Sequence, residues 1–131
     1  MKVFIIELDD LADKPKDAHK SFMDALVSRR FEYWDYFVYQ YVVATPDNYS
    51  VRDIYKIVQN SYGEQFPFVL FQVDLKNCMG YGPGNFLSFF EILHHPNYIP
   101  VWEREGDDPY NPQHIINMQG IPLELKRRVL D

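Results

Sequence analysis

The segment EYWDYFVYQYVVAT, residues 32–45, limits the fold more than any other part of the chain. Aromatic side chains stand at Tyr33, Trp34, Tyr36, Phe37, Tyr39 and Tyr41, β-branched ones follow at Val42, Val43 and Thr45, and neither Gly nor Pro interrupts them. Such side chains lose rotamer freedom against a helical turn and pack well on a pleated surface, so the segment reads as strand. Its fourteen residues exceed the five or six usual for one strand, so it bends or folds back as a hairpin near residues 35–39. No turn dipeptide marks the reversal.

The flanking segments supply the remaining elements. KVFIIEL at the start is a short apolar run without helical caps and reads as a strand buried on both faces. After the loop DDLADKP, the residues Ala18, Phe22, Ala25, Leu26 and Arg29 recur at three- and four-residue spacing, which predicts an amphipathic helix over 16–30. TPDNYS ends the aromatic strand and offers Ser50 as an N-cap, with Asp53 in the capping-box position. Val51, Ile54, Ile57 and Val58 form the inner face of the helix that follows, and Gly63 closes it. FPFVLFQVDL reads as the last core strand, because Pro67 is tolerable only at a strand's start or edge. KNCMGYGPGN is a turn-rich loop, and FLSFFEIL beyond Asn85 predicts a short helix.

This order predicts an α+β fold over residues 1–93: a ferredoxin-like βαββαβ sandwich, with two helices on one face of a four-stranded antiparallel sheet. The other face is expected to be bare. Exposed apolar area of that size marks an interface, so the aromatic segment is expected to serve two cores, its own and that of a second copy. The expected homodimer interface draws on Trp34, Tyr36, Tyr39, Tyr41 and, from the following segment, Trp102.

Residues 94–131 hold five of the nine prolines, which excludes a long helix or central strand there. The same stretch carries Tyr98, Ile99, Trp102, Tyr110, Ile115, Ile116 and Met118, too apolar for a solvated tail. It is expected to be an extended arm lying on a surface, its own or a neighbouring subunit's, with a helical turn near 123–130. No apolar run approaches the roughly 20 residues of a membrane helix, and MKVFIIELDD lacks the basic region and long apolar stretch of a secretion signal. Cys78 is the single cysteine, so neither an internal disulfide nor a thiolate cluster is available, and a cytoplasmic setting is expected. A formal charge of −6 repels phosphate backbones unless basic residues cluster. SRR at 28–30 and KRR at 126–128 are the two clusters, each reading as the basic last turn of a helix. Arg29 and Arg30 are the candidate nucleic-acid contacts.

With the strands assigned, the chain resembles a group of small ferredoxin-like proteins that includes the second core adaptation protein of CRISPR systems, VapD-like toxins and SinR-like proteins. The likeness lies in FIIELD ending at Asp9, in WDYFVYQYVVAT from Trp34, and in SVRDIYKIV followed by FVLFQVDLKNCMGY, and covers about residues 3–93. It implies a dimer and, for some members, a metal-dependent nuclease in which first-strand aspartates face each other across the dimer axis. Carried over, that implicates Asp9. The arm has no counterpart in the group, and the acidic balance departs from what a nuclease groove needs.

Asp9 and Asp10 at a strand end can hold Mg²⁺, which prefers oxygen ligands and retained waters. Asp74 is a poor partner for them, because first and last strands run antiparallel and their C-terminal ends lie at opposite edges. His94, His95 and His114 fall at no zinc-ligand spacing, GYGPGN lacks the Lys-Ser/Thr of a nucleotide loop, and Ser61, Ser88 and Cys78 have no base nearby in sequence. The expected function is that of an intracellular homodimeric interaction protein without catalytic activity or cofactor, acting through its acidic surface on a protein or nucleic-acid-processing partner; nucleic acid itself is disfavoured by the net charge. The alternatives are a metal-dependent endonuclease using Mg²⁺ at Asp9, and a single-strand binder stacking bases on the aromatic sheet.

Overall fold

The computed structural model describes residues 1–35, 39–74, 77, 93 and 99–103. Strand β1 (Lys2–Leu8) leads to helix α1 (Ala18–Ser28), the strands β2 (Glu32–Trp34) and β3 (Gln40–Thr45), helix α2 (Val51–Tyr62) and strand β4 (Phe68–Val73). The strands form one antiparallel sheet in the order β2-β3-β1-β4, the ferredoxin-like βαββαβ arrangement. The aromatic segment does fold back. Glu32 stands opposite Ala44 and Trp34 opposite Val42, so the chain reverses direction between β2 and β3. Tyr39 holds a φ of 66°, the left-handed conformation that a tight reversal needs.

Cross-strand partners share a face of a sheet, so the register assigns every side chain. Phe4, Ile6 and Leu8 of β1, Tyr33 of β2, Tyr41 and Val43 of β3, and Phe68 and Leu70 of β4 look toward the helices. There they meet Phe22 and Leu26 of α1 and Ile54, Ile57 and Val58 of α2. The three-and-four spacing that predicted each helix is the spacing of these buried residues. Helix α1 is shorter than the predicted 16–30, because Asp17 at its start has a φ of 62° and Arg30 beyond its end one of 58°. Both leave the helical region of backbone space. Helix α2 carries the expected capping box: the Ser50 side chain accepts from the Asp53 N–H, and the Asp53 carboxylate accepts from the Ser50 N–H.

The second face of the sheet is not bare along its whole width. Val3, Trp34, Val42 and Ala44 are buried there beneath Leu93 and Trp102, with Ile5 and Val73 partly covered. The aromatic segment therefore spends Trp34 on its own chain's second core and turns Tyr41 toward the helices. Residues 86–92 of the helix predicted beyond Asn85, the loop GYGPGN, Cys78, the histidines at 94, 95 and 114, and residues 104–131 lie outside the described residues. No helix among the described residues is long and apolar enough to cross a membrane.

Candidate functional site

Two regions bring polar or apolar groups into positions that could serve a ligand. The first is the end of the sheet where β1 finishes. Leu8 donates its N–H to the Tyr39 carbonyl at 2.8 Å and Asp9 to the Pro67 carbonyl at 3.1 Å, so the start of the 9–17 loop is held against both flanking strands. Asp9 Oδ1 accepts the Leu11 N–H at 2.9 Å in a local turn. Lys14 closes the loop: its ammonium donates to the carbonyls of Asp9 and Ala12 and lies 4.0 Å from the centroid of the Tyr39 ring. Asp10 is exposed beside them. The register sets Asp74, following Val73, at the opposite end of the sheet from Asp9. Among the described residues no three His, Cys, Asp or Glu side chains gather as a metal set.

A hydrogen-bonded chain runs inward from the same end. His19, in the first turn of α1, lies with Nδ1 2.6 Å from the Tyr41 hydroxyl, which is 2.8 Å from that of Tyr62. In the Nε2–H tautomer Nδ1 accepts, so Tyr41 donates to His19 and Tyr62 to Tyr41. An Nδ1–H, in the other tautomer or in the protonated ring, reverses both bonds. The His19 Nε2 faces the Asp35 carboxylate across 3.9 Å. Burial, then the bond with Tyr62, pushes the Tyr41 phenol well above its ordinary range; burial also raises Tyr62. Both stay neutral at physiological pH. The cleft lined by Lys14, His19, Asp35, Tyr39, Tyr41 and Tyr62 has a volume of about 220 Å³. Ligand pockets typically run from about 300 to 1,000 Å³, so this one is small for an organic substrate.

The second region is the outer face of the sheet. Its β1–β4 half presents Ile5, Val69, Phe71 and Val73, with Val69 54% and Phe71 40% exposed. Strand β4 is the sheet's edge, pairing with β1 alone among the described strands. The β2–β3 half is covered by residues 99–103, and two charged side chains hold them. Glu32 is fully buried, and its Oε1 accepts the Val101 N–H at 2.7 Å. Arg30 donates from Nε and Nη2 to the Val101 carbonyl at 3.2 and 2.8 Å.

The residues singled out by sequence fall in different surroundings. Trp34 is fully buried, Tyr41 lies in the helix-side core, Tyr39 is exposed under Lys14, and Trp102 packs on the second-face cluster. Arg29 donates to the Ala25 carbonyl at the end of α1, whereas Arg30 turns to Val101. Tyr36 lies outside the described residues. Sequence reasoning missed Glu32 and Val101, which are 69 residues apart, and it read Val69 and Phe71 only as core. The signal for the latter pair was present: FVLFQV is apolar at alternate positions on both faces, more than one helix layer can cover. No family model, curated protein or solved structure matches this chain.

Proposed function

We propose that this protein acts by binding rather than by turnover, as a homodimer assembled through the β1–β4 half of its sheet's outer face. The observation that carries the reading is the exposed row Val69 and Phe71, beside Ile5, on a regular edge strand. A flat apolar edge left in water invites indiscriminate pairing, and a specific partner removes that hazard. A second copy of the same chain meets the need with a self-complementary patch. The dimer then offers its acidic surface to a further protein.

Light scattering after size exclusion tests this over a concentration series. The expected result is a dimer that Phe71→Lys or Val69→Lys converts to monomer with an unchanged circular dichroism spectrum. A wild-type chain still monomeric at about 1 mM, where even a millimolar complex is substantially formed, overturns the reading. So does cleavage of RNA or DNA in the presence of Mg²⁺ that Asp9→Ala abolishes while the dimer persists, which would make the chain a nuclease instead.

A further inference from the structure

We propose that the cleft between the 9–17 loop and the turn joining α2 to β4 is a binding site for an aliphatic ammonium ion. The cleft lies at the end of the sheet where β1 finishes, so it does not depend on the homodimer proposed for the outer face. Its volume is about 480 Å³, inside the span of about 300 to 1,000 Å³ typical of small-molecule sites. Tyr62 lines both this cleft and the smaller one beside His19. The walls are held by the fold. On the turn side Gly63 donates its N–H to the Gln59 carbonyl at 2.8 Å, and Phe66 to the Gly63 carbonyl at 3.3 Å. On the loop side the Pro15 carbonyl accepts the Ala18 N–H at 3.1 Å, and the Asp9 N–H ties loop to turn at the Pro67 carbonyl. Pro15 and Pro67 add their fixed φ, and Phe66 packs on Tyr62 with ring centroids 5.0 Å apart. These four side chains make an apolar wall for a hydrocarbon chain.

The charged side chains decide the sign of the ligand. Asp13 and Glu64 line the cleft, and among the described residues that line it there is no Lys, Arg or His. Neither carboxylate belongs to an ion pair among the described residues. Lys14, next to Asp13 in the chain, is engaged elsewhere: its ammonium donates to the carbonyls of Asp9 and Ala12, and it lines the other cleft. That ammonium lies 4.0 Å from the Tyr39 ring centroid and 5.6 Å from that of Phe66, so the same end of the sheet already holds one alkylammonium against aromatic rings. An anion in the cleft would meet two carboxylates, and a neutral ligand would leave both unused. A protonated amine answers the carboxylates with its head and the apolar wall with its chain, as lysine stems do on protein surfaces. That chemistry is offered by a free amine or by a lysine side chain of another protein.

An amide NMR titration of the full chain tests the site. The probes are butylamine, cadaverine and a blocked lysine, with butanol and butyrate as the neutral and anionic counterparts of the first. Each amine is expected to give saturable shifts of the amides in 12–14 and 62–66, which butyrate does not give and butanol gives only weakly. Asp13 and Glu64 are exposed, so Asp13→Asn and Glu64→Gln leave the core intact. Each should weaken butylamine binding about threefold and the pair about tenfold, the scale of exposed charge pairs. Shifts that do not saturate overturn the site. So do shifts that butanol reproduces at the same concentration, and an affinity that the double variant retains. Tighter binding of cadaverine than of blocked lysine supports the site and assigns it to a free amine; the reverse order supports it and assigns it to a lysine of another protein. Phe71→Lys should leave the titration unchanged whatever it does to the dimer, so the site and the interface stand or fall separately.

Discussion

Tyr41 is where packing and proton chemistry meet in this molecule. Its ring lies 4.8 Å from that of Phe22 and its hydroxyl joins His19 to Tyr62, so one side chain serves the core and the polar chain together. Removing that hydroxyl leaves a buried partner short of a bond, and Tyr41→Phe is expected to cost about 1–2 kcal/mol in urea unfolding at neutral pH. The pH dependence follows from the raised phenol. Below about pH 10 both folded and unfolded chains hold the proton, so Tyr41 adds no slope. Above that value the unfolded chain releases a proton that the folded chain retains, and stability falls by about 1.4 kcal/mol per pH unit for this one group. The wild-type urea midpoint should hold steady up to about pH 10 and then drop, and Tyr41→Phe should drop less steeply by about one proton's worth. An identical alkaline slope in the variant would show that Tyr41 is not the group retained. None of this was legible in the sequence, where His19, Tyr41 and Tyr62 stand about twenty residues apart with no spacing that links them.

At the scale of elements, what the sequence disclosed was whatever local chemistry determines. Ser50 and Asp53 announce the start of α2 three residues apart, and the structure has both halves of the box, with bonds of 3.2 and 2.7 Å. Ser50→Ala should therefore cost about 1 kcal/mol in thermal or denaturant unfolding, with amide exchange rising first in the opening turn of α2. Uniform exchange along the helix would mean that the cap does not govern its fraying. The Ser50 N–H bond holds the Asp53 carboxyl below its usual range, so the box persists above the ordinary carboxylate values and is lost as pH falls through the lowered one. The β2–β3 reversal was harder to locate because its positive φ falls on Tyr39, a residue type that carries no turn signal. The alternation that usually fixes register is also missing, since β3 is buried on both faces from Tyr41 to Thr45. The cover on the second face was least legible. It depends on Arg30 and Glu32 gripping the backbone of Val101, and a backbone contact leaves no mark on the sequence of the segment it holds.

For the whole molecule the deciding quantity is charge. Each chain carries −6, from 19 acidic against 13 basic residues, so pairing two copies brings −12 together. Glu7 adds local repulsion, because it is exposed on the same face as Val69, its cross-strand partner. In the proposed dimer, apolar contact between Phe71, Val69 and Ile5 has to exceed that repulsion, and screening weakens only the repulsion. The dissociation constant of the proposed dimer, followed by sedimentation equilibrium, should therefore fall as ionic strength rises from about 0.01 M to about 1 M, over which the screening length shrinks from about 30 Å to 3 Å. A complex held by opposite charges responds the other way, and so does binding to a nucleic acid, whose counterion release makes affinity drop steeply with salt. An association that weakens with added salt would mean that ion pairing holds the copies together and that the apolar row on β4 is not the dominant contact.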